Sequence, residues 1–149
     1  MRIGLISDTH GLLRPEALQA LAGSDRIVHA GDIGDAAILE SLAAIAPVTA
    51  VRGNNDQGTW AQALPHTALL VEGGVRILVI HDVKELSGVV DAQVVIAGHS
   101  HQPKVERREG VLFVNPGSAG PRRFKLPVCV GRLIVQRGRA EAELMPLAV

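Results

Sequence analysis

Short runs of Val, Ile, Leu and Ala alternate along this chain with Gly, Pro, Asn and Asp, and their spacing sets the elements. Ile3 to Ser7 is apolar and short, which reads as a buried strand. Pro15 opens a helix carrying Leu18, Leu21 and Ala22 on one face, and Gly23 stops it. Arg26 to Ala30 forms the second strand. Ala36 to Ala44 forms a second helix, with Ile38, Leu39 and Leu42 inward and Pro47 closing the segment. Val48 to Val51 is the third strand. This β-α-β-α-β opening predicts a parallel sheet with right-handed crossovers.

The second half is richer in strands. Thr67 to Glu72 and Val75 to His81 flank Gly73-Gly74, a two-residue hairpin signal. A short helical piece fits between Lys84 and Val90, and Gln93 to Ala97 is another strand. Lys104 to Arg108 and Val111 to Asn115 flank a hairpin at Glu109-Gly110. Val128 to Gln136 and Ala140 to Met145 flank a third at Arg137-Gly138-Arg139. Hairpins rule out a wholly parallel sheet. The expected fold is α/β, two mixed β-sheets packed as a sandwich with helices outside. With no linker, repeat or low-complexity tract, residues 1–149 read as a single domain.

Composition narrows the function. A chain of 149 residues with 47% hydrophobic content can bury a proper core. Aromatics are only 2%, which disfavours a base-stacking surface for single-stranded nucleic acid. The formal net charge is zero, so no global field draws the chain to nucleic acid or a membrane. The single cysteine, Cys129, reads as a small buried hydrophobe and fits a reducing compartment. The N-terminal apolar stretch is too short for a signal peptide, and no segment reaches the roughly 20 apolar residues of a membrane span. The expectation is a soluble, cytoplasmic protein.

Candidate chemistry lies where the strands end. Five apolar strands run into Ser7-Asp8-Thr9-His10, Gly31-Asp32-Ile33-Gly34-Asp35, Gly53-Asn54-Asn55-Asp56, His81-Asp82 and Gly98-His99-Ser100-His101. Ligands of open α/β sheets bind beyond the carboxyl ends of strands, so parallel neighbours would bring all five clusters to one rim. Four of the six histidines are in these clusters. His29, one step before a turn inside a strand, reads as structural, and His66, after Pro65, as exposed. Mixed imidazole and carboxylate donors suit Mn, Fe, Zn, Co or Ni. Asp-x-His and His-x-His place two ligands on one side of an extended segment. The donors outnumber the needs of one ion, which points to two metals sharing a carboxylate at about 3.5–4 Å.

In order and spacing, Asp8-x-His10, Gly31-Asp32-x-x-Asp35, Gly53-Asn54-x-Asp56, His81 and Gly98-His99-Ser100-His101 resemble the five motifs of the calcineurin-like metallophosphoesterases. Asn115-Pro116-Gly117-Ser118 followed by Arg122 resembles the small bacterial and archaeal phosphodiesterase branch, whose fold the retromer subunit of eukaryotic vacuolar sorting shares as a scaffold. The resemblance implies two divalent ions, manganese first. One would be held by Asp8, His10, Asp32 and His101, the other by Asp32, Asn54, His81 and His99, with Asp32 bridging. It implies a phosphodiesterase in which a metal-bridging hydroxide attacks phosphorus, with a small phosphoester as partner and a homo-oligomer left open. His10, Asn55 and Asp56 are the expected catalytic set. Asp56 would orient a histidine ligand, while Asn55 and Arg122, with Arg123 beside it, would reach the phosphate.

Asp35 would orient a ligand or cap the helix at Ala36, and Gly53 would allow a sharp bend. Three departures stand out: Asn55 where much of the superfamily has histidine, Asp82 after the fourth-motif histidine, and a short stretch from His81 to Gly98. A non-catalytic metal-binding scaffold and a nucleotide or dinucleotide pyrophosphatase are the alternative functions.

Overall fold

The computed structural model describes residues 1–88 and 90–149. Two five-stranded mixed sheets pack face to face. The first has the order β10-β9-β1-β2-β3, built from β1 (Arg2–Ile6), β2 (Arg26–His29), β3 (Val48–Ala50), β9 (Cys129–Gln136) and β10 (Arg139–Pro146). The second has the order β4-β5-β6-β8-β7, built from β4 (Thr67–Glu72), β5 (Val75–Ile80), β6 (Val94–Ile96), β7 (Lys104–Arg108) and β8 (Val111–Asn115). β1, β2 and β3 run parallel, as do β5, β6 and β8. The five polar clusters therefore do not follow neighbouring strands of one sheet. They follow two parallel sets that face each other across the sandwich.

Alternation along the strands creates the layers. Ile3, Leu5 and Val28 of the first sheet meet Ile77, Val79 and Ile96 of the second, all buried. The opposite face of the first sheet, with Ile6, Ile27 and Val130, is covered by α1 (Pro15–Leu21) and α2 (Ala36–Ala43). Ala17 and Leu21 are the buried residues of α1 and Leu18 packs beside them, whereas Ala22 lies past the helix end in extended backbone and is exposed. A third helix, α3 (Thr59–Gln62), was not legible in the sequence; it is four residues long and packs Trp60 against this layer.

Among the described residues, the α-helices flank the first sheet. On the outer face of the second, the segment after β5 forms a single 3-10 turn, Val83–Glu85, with Leu86 and Val90 against Ile80, Val95 and Ala97. The helical piece expected between Lys84 and Val90 is replaced by that turn, and its position 89 lies outside the described residues. All three hairpins have two-residue turns with positive φ at both positions: Gly73-Gly74, Glu109-Gly110 and Arg137-Gly138. Strand twist selects that geometry. Arg139 belongs to β10 rather than to the turn. Among the described residues no helix is long and apolar enough to cross a membrane.

His29 ties the first sheet to the rim. It is fully buried; the Gly31 N–H donates to its Nδ1 at 3.1 Å, so Nε2 carries the proton and faces Thr9 Oγ1 at 3.1 Å. Burial holds its pKa down to about 3. The folded protein keeps this ring neutral while the unfolded chain titrates near 6.5, so its contribution to stability is full above pH 6.5 and is lost as pH falls toward 3. The slope is about 1.4 kcal/mol per pH unit, or about 2 kcal/mol between pH 6.5 and 5. His10 and His81, whose pKa values are raised, change stability only above 6.5, and Asp8 and Asp32, whose values are lowered, only below the ordinary carboxylate range. Urea unfolding in chelator at pH 6.5 and 5 is thus expected to show a loss that His29→Gln largely removes. Equal losses in both proteins would refute this assignment.

Candidate metal centre

The rim is built from backbone that leaves the strands in a left-handed conformation. Asp8, His10, Asp32, His99 and His101 all have φ between 47° and 72°. That region costs a non-glycine residue about 1 kcal/mol or more and collects at functional sites. Here it turns side chains of successive short loops toward one point. Tight contact between loops holds them there. A methyl group at Gly53 would fall on the backbone nitrogen and Oδ1 of Asp32, and one at Gly98 on Ser7 Oγ. Gly53 has no positive φ, so its role is close approach and not the sharp bend expected from the sequence.

Two groups of donors result, Asp8 with His10 and His101, and Asp32 with His81 and His99. Asp8 Oδ1 lies 3.6 Å from His10 Nε2 and 3.4 Å from His101 Nε2. Asp32 Oδ2 lies 3.2 Å from His81 Nε2 and 3.7 Å from His10 Nε2, so it faces both groups. Asn54 Oδ1 sits 3.0 Å from His81 Nε2 and 3.2 Å from His99 Nδ1. All seven residues expected as ligands are thus brought together. Asp8, His10 and His101 form one group and Asp32, His81 and His99 the other, with Asn54 beside the second.

The chemistry of this set fits cations. Asp8 Oδ2 accepts from Ser7 Oγ at 2.6 Å and from the His99 N–H at 3.0 Å, but the buried Oδ1 has no hydrogen-bond partner. An orphaned, buried carboxylate oxygen among three histidine nitrogens is costly unless a cation meets it. His81 Nδ1 donates to the Ala30 carbonyl at 2.7 Å. In the neutral ring Nε2 then presents a lone pair toward Asp32 and the Asn54 oxygen, which has no proton to give. The field of the site runs the same way. Burial would raise the Asp8 carboxyl, yet His10, His101 and Ser7 hold it below the usual carboxylate range. Burial likewise opposes Asp32, and His81 and the Asn55 N–H lower it. Burial opposes the charged form of His81, but Asp32 and the Ala30 carbonyl raise it to about 9.

The remaining expected residues take different places. Asn55 donates to Asp32 twice, from its backbone N–H at 2.9 Å and its side-chain Nδ2 at 3.2 Å. Asp56 does not orient a histidine: it accepts the backbone N–H groups of Ile33, Gly34 and Gly53 at 2.8, 3.0 and 2.9 Å. A buried carboxylate beside three unpaired donors is most stable knitting those loops together. Asp35 caps α2 by accepting from Ala37 N. Asp82 caps the 3-10 turn and lies 3.7 Å from His99 Nε2. Arg122 donates to the Val149 carbonyl at 3.2 Å, directed away toward the C-terminus, while the charge of Arg123 is felt at His10 and opposes its protonation. His66 is exposed and takes a bond from Arg52. Two supports lie outside the sequence expectations: Ser7, whose signal is its place between a buried strand and Asp8, and Ser118, whose Oγ donates to the Asp8 carbonyl at 2.9 Å.

Residues 1–138 match the family model described as the calcineurin-like phosphoesterase superfamily domain. The chain is 34% identical to a probable metallophosphoesterase of Methanocaldococcus jannaschii, over 99% of this chain and 82% of that protein. In structure it is similar to Vps29 of Chaetomium thermophilum, with a TM-score of 0.79 and 20% identity over 99% and 97% of the two chains. It is also similar to an archaeal protein characterised as a phosphodiesterase, with a TM-score of 0.76 and 21% identity over 97% and 100%. The chain belongs to the calcineurin-like phosphoesterase superfamily, and by that family it is a metal-dependent phosphoesterase.

Proposed function

We propose that this member of the superfamily is a dinuclear phosphodiesterase. The observation that carries the reading is the pair of donor groups with Asp32 Oδ2 facing both and Asp8 Oδ1 orphaned between histidines. One ion would be held by Asp8, His10, Asp32 and His101, the other by Asp32, Asn54, His81 and His99. Divalent ions bound there, manganese foremost, would supply Lewis acidity for the phosphoryl oxygens and an activated water.

The protein's own groups do the rest. Among the described residues the two donor groups contain two carboxylates, Asp8 and Asp32, and Asn54 would contribute an oxygen without charge, so a loaded centre would keep a surplus positive charge for an anionic phosphate. Asn55 holds the Asp32 carboxylate in place and stands at the exposed mouth, where a phosphoryl oxygen would approach. Asn55 cannot supply a proton near neutral pH. Leaving groups that depart as stable anions are therefore favoured, and nitrophenyl diesters are the substrates to test. Hydrolysis of bis(p-nitrophenyl) phosphate is expected with Mn(II). Absence of turnover with Mn, Fe, Co, Ni and Zn, in protein shown to carry the metal, would overturn the reading.

A scaffold is the second reading. Its support is the outer face of the second sheet, where Leu69 and Val71 are 48% and 59% exposed, together with the likeness to Vps29. A catalytically silent, metal-loaded protein that purifies with a stoichiometric partner would favour it.

A further inference from the structure

Part of the outer face of the second sheet lies open beside the candidate metal centre. A groove of about 450 Å³ runs there from His99 and Asp82 toward Phe113 and Arg108. Its volume is that of a small-molecule subsite. Strand register builds its floor: Phe113 of β8 stands beside Val95 of β6 and opposite Glu106 of β7. Nearer the metals, Asn115 is paired with Lys104 and donates to the Gly98 carbonyl at 3.0 Å and to Ser100 Oγ at 3.1 Å. The His99 loop and the groove wall are thus one piece.

The walls are charged. Lys104 and Arg108 both reach Glu106, at 3.2 and 3.7 Å, and the Arg108 guanidinium lies over the Phe113 ring, 4.3 Å from its centre. Asp82 is turned to His99 at 3.7 Å. Lys84, on the 3-10 turn, forms no salt bridge among the described residues. Three cations thus face two carboxylates over an apolar floor. A neutral aliphatic group would use the floor alone. A flat group with its own negative charge would use both, because Arg108 and Phe113 offer a stacking surface and Lys84 and Lys104 offer charge.

We propose that this groove is the specificity subsite for the ester group that stays on or leaves the phosphate, and that it takes a flat organic group carrying a second negative charge. The proposal rests on the phosphodiesterase reading and adds the substrate class to it. Lys84 and Phe113 are the residues that discriminate.

The test compares three chromogenic diesters with the same nitrophenolate leaving group on the manganese-loaded protein. They are methyl p-nitrophenyl phosphate, thymidine 5′-(p-nitrophenyl phosphate), and the latter carrying a 3′-phosphate. The expected result is a rise in kcat/KM along this series, about tenfold at each step. In Lys84→Ala the last step should shrink several-fold, and in Phe113→Ala the first. Calorimetric titration with thymidine 3′,5′-bisphosphate gives a readout free of turnover, with saturable binding weakened in both variants. A flat series, with the methyl diester turned over, would overturn the groove proposal and leave the phosphodiesterase reading standing. If no diester reacts, that reading falls and the titration alone decides. Binding that Lys84→Ala weakens would uphold the groove as an anion-bearing ligand site, and no binding, or binding that both variants leave intact, would overturn it.

Discussion

Asparagine in place of Asp32 is expected to strip both ions from the protein. Turnover should fall by about 10²–10³-fold or more, the scale reached when one preorganised electrostatic group is removed from an active site. The substitution keeps the shape and removes the one carboxylate that faces both donor groups, with Oδ2 at 3.2 Å from His81 and 3.7 Å from His10. It also sets an amide against Asn55, which now donates to both Asp32 oxygens. Metal content by atomic emission decides the matter. Two retained ions would mean that Asp32 is not the shared ligand. His10→Ala should weaken mainly the ion of the Asp8 group and His81→Ala mainly that of the other. A second readout needs no metal. The Asp32 carboxylate is the main group raising the His81 pKa to about 9, so in Asp32→Asn the His81 ring should titrate lower by NMR in chelator.

Alanine at Gly53 is expected to do nearly as much damage through a residue with no chemistry of its own. The added methyl would occupy the place of the Asp32 backbone nitrogen and Oδ1. Backbone cannot step aside as a flexible side chain can, so either the third loop or Asp32 must move. Overpacking of this kind costs about 1–3 kcal/mol, and a ligand displaced by a fraction of an ångström no longer suits both ions. Thermal unfolding in chelator should report the stability loss. Metal content and diester turnover, measured well below the unfolding temperature, should report the displaced ligand. A folded Gly53→Ala protein with both ions bound and full turnover would show that the two loops can separate without cost.

The first of these effects is visible in the sequence and the second is not. Asp32 stands at the end of an apolar run, beside glycines, in a series of polar clusters. Gly53 is legible only as a glycine, and the sequence suggests a bend where the structure has a close approach. Asp56 misleads for a related reason. An aspartate in a motif reads as an orienting group for a histidine, but its three nearest donors are backbone N–H groups of two loops that meet only after folding. Arg122 and Arg123 are adjacent, and nothing in the chain says which faces the site. The fold bonds Arg122 to the Val149 carbonyl, and the charge of Arg123 opposes protonation of His10.

The choice of seven candidate ligands came from the resemblance to a family; the sequence by itself determined most of the strands, the hairpins, the two longer helices and the polar clusters at the strand ends. Each is a local property: apolar alternation sets the elements, turn residues end them, and polar side chains at strand ends announce the rim. Only the tertiary structure decided that the clusters arise from two sheets. It also set the distances at which Asp32 Oδ2 faces both donor groups and, among the described residues, put a single 3-10 turn where a short helix was expected. The physical reason is that burial acts at a distance. Ile3, Leu5 and Val28 must find Ile77, Val79 and Ile96 before the loops above them can meet. The left-handed turns at Asp8, His10, Asp32, His99 and His101 carry no glycine signal at their own positions. They persist because the packed core and the crossing loops hold them, and no stretch of sequence shows that.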